Sequence, residues 1–231
     1  MAAPVLDGTV TTWKGTADPP TISFTVSSNA NRYLKVDVVM GLGSAAAGTC
    51  TVAWNGTSVP LVKDSGASAN DQARALIFGL VAPESGTYNI VLTLGGTYEK
   101  EAVAAAIMVY KDVDQTTPIG TAVSALFDGV DPTVDVTSAT GETVVDCMSM
   151  RGNGSLPVVG ASQTERANAS DNFAFGWIGS SEEAGATTVT MSWSGSEGFD
   201  NAIAAVPLKP VAASGTAVPV FLHNLQVQGI A

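Results

Sequence analysis

Histidine is almost missing from this chain of 231 residues: the only one is His223, in the stretch VFLHNLQVQ near the C-terminus. A Ser-His-Asp or Cys-His hydrolase needs an imidazole base held beside its nucleophile. No G-x-S-x-G elbow accompanies His223, so the expected protein is not an enzyme. Cysteine is nearly as scarce. Cys50 and Cys147 lie far apart and form neither a metal-type spacing nor a disulfide framework, which predicts two free, buried thiols. Charge is thin as well, at 13% of residues against about 25% in an average soluble domain. The 10 basic residues against 21 acidic ones give a net charge of −11, which leaves little to hold a phosphate backbone and excludes nucleic acid as an expected partner. Long apolar runs are absent too: the longest, AVAAAIMVY at 102–110, falls short of the roughly twenty residues that cross a bilayer as a helix, so no membrane partner is expected. MAAPVLDGTVTTWKG has no basic n-region and no apolar h-region, so no secretory signal is expected there.

What the chain has in quantity is Gly, Ser, Thr and Asn, set between short runs that alternate with period two. Leu34/Val36/Val38/Met40, Phe173/Phe175/Trp177, Tyr88/Ile90/Leu92/Leu94 and Val189/Met191/Trp193 are such runs, separated by turn clusters such as KDSGASAND, APESGT and RGNGSLP. Period two with these breaks predicts an all-β chain. VDVVMGLGSAAAG, 36–48, satisfies the dinucleotide fingerprint G-x-G-x-x-G/A, but that site requires a helix directly after the glycines. TCTVAW, then Asn55-Gly56, then TSVPLV predicts a β-hairpin instead, which makes the glycines a loop between strands.

An internal repeat refines the fold. GTYNIVLTLGGTYEKEAVAAAIMVYK from Gly86 aligns with GATTVTMSWSGSEGFDNAIAAVPLK from Gly185, matching Ile90 with Val189, Leu94 with Trp193, and Ala105 with Ala204. Upstream, ALIFGL corresponds to FAFGWI, and LKVDVVM to TVVDCMSM. The expected fold is an antiparallel, jelly-roll-like β-sandwich of residues 1–210 built from two pseudo-repeated Greek-key halves, about 20–115 and 116–210, followed by a C-terminal strand or arm, 211–231.

VDQTTPIGTAV from Val113, GATTVTMSWSGS and AIAAVPLKP resemble a recurrent β-sandwich domain of bacteriophage virion proteins and bacterial surface proteins. The likeness covers roughly Arg32 to Pro210 and rests on turn and core residues. It implies a module used for assembly or binding, without chemistry of its own.

Other constellations weigh less. Glu99 and Glu101 share a strand parity and Glu182-Glu183 sit together, yet nothing in the sequence desolvates them as a glycosidase pair requires. Asp112/Asp114 and Asp128/Asp131/Asp135 offer the hard oxygen ligands that calcium takes, in a spacing unlike an EF-hand, so no cofactor is expected and calcium stays open. Parity places Trp54, Trp177 and Trp193 on apolar faces, which leaves Trp13 and Tyr98 as sugar platforms for the alternative reading, an extracellular carbohydrate-binding module.

Two features point to assembly. In AVAAAIMVY both parities are apolar, and NAIAAVPL repeats this, whereas a strand of a monomeric sandwich has one polar face. Ala104, Ala106 and Met108 are therefore candidates for contact with another subunit, the other reading being cover by the chain's own loops or N-terminal segment. In the tail, Phe221, Leu222, Leu225 and Val227 form an apolar strand with no partner left in the repeat, which predicts pairing with a sheet edge or groove, on this chain or a neighbour. The functional expectation is a structural protein of a phage-like particle, a decoration or accessory protein of head or tail, assembled in the host cytoplasm. Its expected partners are other virion subunits and further copies of itself.

Overall fold

The computed structural model describes residues 2–16, 20–41, 48–68, 73–98, 102–151, 156–170, 176–195 and 200–212. The first repeat contains β1 (Val5–Leu6), β2 (Thr11–Lys14), β3 (Thr21–Val26), β4 (Tyr33–Met40), β5 (Thr49–Trp54), β6 (Thr57–Val59), β7 (Leu61–Asp64), β8 (Arg74–Val81), β9 (Gly86–Gly95) and β10 (Val103–Lys111). The second contains β11 (Val123–Asp128), β12 (Thr133–Thr137), β13 (Thr143–Arg151), β14 (Val158–Val159), β15 (Thr164–Ser170), β16 (Gly176–Ala184), β17 (Thr188–Ser194) and β18 (Asp200–Leu208). The chain is all-β and antiparallel, as the period-two runs predict. From Thr49 the chain runs as β5, paired with β6 through Trp54 opposite Thr57, residues 42–47 lying outside the described residues. Asn55 and Gly56 take φ of 45° and 77°, the two positive values that a two-residue hairpin turn requires. A strand from Thr49 stands where the helix of a pyrophosphate site would have to continue.

The two repeats have one strand order. The first forms a sheet β1-β10-β4-β8-β7, with β2 also on β10, and a second sheet β3-β9-β5-β6. The other forms β11-β18-β13-β16-β15 and β12-β17-β14. Thus β10, β4, β8 and β7 correspond to β18, β13, β16 and β15, and β3, β9 and β5 to β12, β17 and β14. Each repeat is a two-sheet sandwich around its own core. Trp54 fills the first core, edge-on to Phe24 at 6.2 Å and to Tyr88 at 5.5 Å between ring centroids. Trp193, Met148 and Met191 fill the second.

The layering corrects the expected single sandwich of two halves: each repeat closes a sandwich core of its own. The two larger sheets pack face to face, with β4 against β13, β8 against β18 and β10 against β16, so that four sheets stack in the order outer, inner, inner, outer. This explains the strands with two apolar parities. Along β10, Val103, Ala105, Ile107 and Val109 enter the first sandwich core, while Ala104, Ala106, Met108 and Tyr110 enter the seam between sandwiches. All eight residues of β4 are buried for the same reason. Alanines 75, 104, 106, 202 and 204 line this seam, and their small size lets two sheets approach closely over a wide area.

One detail of the aligned repeat is corrected by the packing. Ile90 and Val189 both point into their own sandwich cores, and so do Leu94 and Trp193. Ala105, however, faces its own core while Ala204 faces the seam. Equivalent strand positions cannot lie on opposite faces, so the alignment slips by one residue between β17 and β18. Ala205, which points into the second core, has the parity of Ala105.

Candidate functional site

The buried chemistry of the molecule is concentrated at the seam. Lys35 and Asp37 stand two apart on β4, so the strand alternation aims both at the second sandwich. Their ammonium and carboxylate form an ion pair with both side chains fully buried. Lys35 Nζ also donates across the seam to the carbonyl oxygen of Asp146 at 2.8 Å, and Ser180 Oγ donates to Asp37 Oδ2 at 2.5 Å. The other Asp37 oxygen, Oδ1, is buried with no hydrogen-bond partner. Burial raises the Asp37 carboxyl above its usual range and outweighs Lys35 and Ser180, which pull the other way.

The Asp146 side chain lies on the opposite face of β13, inside the second sandwich. Its Oδ1 accepts from the Ser181 backbone N–H at 2.6 Å and from Ser181 Oγ at 3.0 Å, and its Oδ2 accepts from Trp193 Nε1 at 2.8 Å. Burial still pushes this carboxyl up to about 7, against the pull of Trp193, Lys35 and Ser181. At the rim, the Tyr110 hydroxyl donates to Glu182 Oε2 at 2.9 Å, and Arg166 pairs with the other oxygen of Glu182. A cavity of about 10 Å³ lined by Val39, Ala102, Ser149 and Trp177 adjoins the seam, room for about one water. The cluster can hold charge and protons away from water and join one repeat to the other.

A second feature lies on the outer sheet of the first repeat. A shallow groove of about 400 Å³ is lined by Ser23, Asn55, Thr87, Tyr88 and Asn89. At one end Glu84 accepts from Asn55 Nδ2 at 2.9 Å and from the Tyr88 hydroxyl at 3.0 Å.

The residues singled out in the sequence fall as follows. Ala104, Ala106 and Met108 are buried against the second repeat, so their cover is neither a loop nor a further subunit, and they are withdrawn as assembly surface. Phe221, Leu222, Leu225 and Val227 lie outside the described residues, as do His223, Glu99 and Glu101. Trp54, Trp177 and Trp193 are core residues. Trp13 and Tyr98 are partly buried and pack against the first core. Glu182 is engaged by Tyr110 and Arg166 rather than paired with Glu183 for catalysis. Asp114 caps a turn, accepting from the N–H groups of Thr116 and Thr117 at 2.8 Å each, and Asp135 accepts from Thr190 Oγ1 at 2.6 Å. No group of three or more His, Cys, Asp or Glu side chains suited to a metal ion occurs among the described residues.

Both cysteines are free thiols. Burial pushes Cys50 up to about 12 and Cys147 well above its usual value, which suppresses the thiolate that reagents attack. A thiol reagent is expected to leave the folded protein nearly unmodified and to titrate two thiols per chain after denaturation without reductant. Fewer than two would point to a bridge.

The sequence reading passed over Lys35, Asp37, Asp146, Ser180 and Ser181. Their signal was present: LKVDVVM and TVVDCMSM place charged residues in strands that are otherwise apolar on both parities, where a charge is tolerated only when paired inside. No protein family model, curated protein or solved structure matches the chain.

Proposed function

We propose that this is a non-enzymatic structural protein of a phage-like particle, a decoration or accessory protein of head or tail. The observation that carries the reading is the seam: two sandwiches of like topology are joined back to back by a buried, largely apolar interface, which makes the chain a rigid four-layer block. Protein interiors deform little under load, a property suited to a particle surface. The alternation of the chain between inner and outer sheets supports a jelly-roll-like ancestry for each repeat, in keeping with the resemblance carried by 113–123 and 185–196. In this reading the protein is assembled in the host cytoplasm, contacts other virion subunits and self-associates through 211–231. Immunogold labelling of purified particles with antibody against this chain tests the proposal: regular label is expected, and its absence from particles of the producing host overturns it. A chain ended at Pro210 is expected to keep its β circular-dichroism spectrum while losing oligomerisation or attachment to the particle. Normal assembly of that truncation would shift attention from the tail to exposed sheet edges.

A glycan-binding reading is favoured by one observation, the groove on the outer sheet with its amides, hydroxyls and half-buried Tyr88. A glycan array separates the two: binding that Asn55→Ala and Tyr88→Ala abolish would support the carbohydrate module, particle label without glycan signal the structural one.

A further inference from the structure

At and directly behind the seam lie one fully buried amine, Lys35, and two fully buried carboxyls, Asp37 in the seam and Asp146 on the sandwich side of β13. Lys35 is committed to Asp37 by direct contact. The Asp146 carboxyl receives only two N–H groups and a hydroxyl, while Lys35 meets this residue at its backbone carbonyl and not at its carboxyl. We propose that Asp146 retains its proton in mildly acidic solution, so that the ion pair of the seam is backed by one neutral acid inside the second sandwich, and that losing this proton as the pH rises to neutral weakens the joined sandwiches.

Charge balance in a medium of low polarity sets the protonation of this acid. Ionising Asp146 beside a balanced pair would leave a net buried negative charge, and a buried ion without a counter-ion is far less stable than its neutral form. The local hydrogen bonding accommodates the proton. Ser181 Oγ, 3.0 Å from Asp146 Oδ1, is both donor and acceptor and can turn to receive an O–H from the acid, while Trp193 and the Ser181 amide continue to donate to the remaining lone pairs. The surrounding titratable groups do not supply the missing positive charge. Tyr33 and Tyr110 are raised by burial and so remain neutral, as does Cys147. Arg166 is taken by Glu182. On the side of β13 that carries the Asp146 carboxyl, β18 presents Ile203 and Ala205 and β17 presents Met191 and Trp193, none of them charged. The upward shift of Asp146 to about 7 agrees with this reading.

The sign follows from linkage. An unfolded aspartate releases its proton near pH 4, whereas the folded one keeps it to about 7. The folded state therefore binds the extra proton between those values, and stability falls as pH rises through that window. One retained proton makes the unfolding constant climb by up to about tenfold per pH unit between about pH 5 and 7. Denaturant unfolding of the full chain should show this rise, and Asp146→Asn should flatten it. Infrared spectroscopy of the native protein at about pH 6 should show the C=O stretch of a non-ionised carboxyl, lost in Asp146→Asn. A native spectrum with no such band, or a stability that is flat or rises across the window, overturns the proposal. Should Asp146→Asn fail to fold, Asp37→Asn decides between the two buried carboxyls: the band and the slope should persist in it, and their loss there overturns the proposal.

Discussion

Lys35→Met is expected to destabilise the protein by about 3–5 kcal/mol, the range for removing one partner of a buried ion pair. Methionine matches the length and apolar stem of lysine, so packing changes little. What changes is that Asp37 loses its counter-ion while remaining fully buried, with only Ser180 Oγ still donating to it. The carbonyl of Asp146 loses a donor as well. The loss should grow with pH, because Asp37, already raised by burial, escapes by taking a proton in acid and cannot do so in base. The double variant Lys35→Met/Asp37→Leu should regain most of the loss, since an apolar pair leaves no orphaned charge. Chemical denaturation at two pH values measures all three forms. A single variant within about 1 kcal/mol of wild type at both would show that the pair is not what holds the seam together.

How much of this could be read beforehand varies with the kind of information involved. The strands and hairpins were legible because they depend on local alternation and turn chemistry: Asn55-Gly56 and the Ile90/Leu92 run behave as their residue types dictate. The repeat was legible in β9 and β17, where bulky residues mark each core position. It slipped by one at β10 and β18, where alanine occupies both faces and parity loses its contrast. The four-layer stack was half legible. The doubly apolar run at 102–110 announced that both faces of that strand are covered, but the identity of the cover depends on contacts between residues far apart in sequence, such as Lys35 and Asp146 across the seam, and no local rule encodes them. The seam cluster was hidden for the related reason that Lys35 and Asp37 read individually as solvated charges. Only the placement of β13 and β16 opposite them makes them interior.

The second large effect concerns the independence of the repeats: expressed alone, neither residues 1–115 nor residues 116–231 should remain a soluble monomer. Each repeat has a sandwich core of its own, which argues for autonomous folding, but each also owns one wall of the seam. Parting the walls exposes Ala104, Ala106 and Met108 on one side and Val145, Ala204 and Val206 on the other, a contiguous apolar face of the kind that soluble monomers seldom show. It also strands polar groups. Asp37 would lose Ser180 and Lys35 would lose the carbonyl of Asp146, although water could then solvate both. Backbone bonds across the junction go as well: Asp114 N–H to the carbonyl of Lys209 at 2.9 Å, and Val211 N–H to that of Asp112 at 3.0 Å. The apolar term dominates, since burying a single valine- or methionine-sized side chain is worth about 1.5–3 kcal/mol and the seam contains several. The separate halves should therefore aggregate or self-associate, and co-expression should recover a one-to-one complex that unfolds in one transition. Size-exclusion chromatography with light scattering distinguishes the outcomes. A half that elutes as a well-folded monomer would mean that the seam is a docking contact between two independent sandwiches, and the rigid-block reading would fall with it.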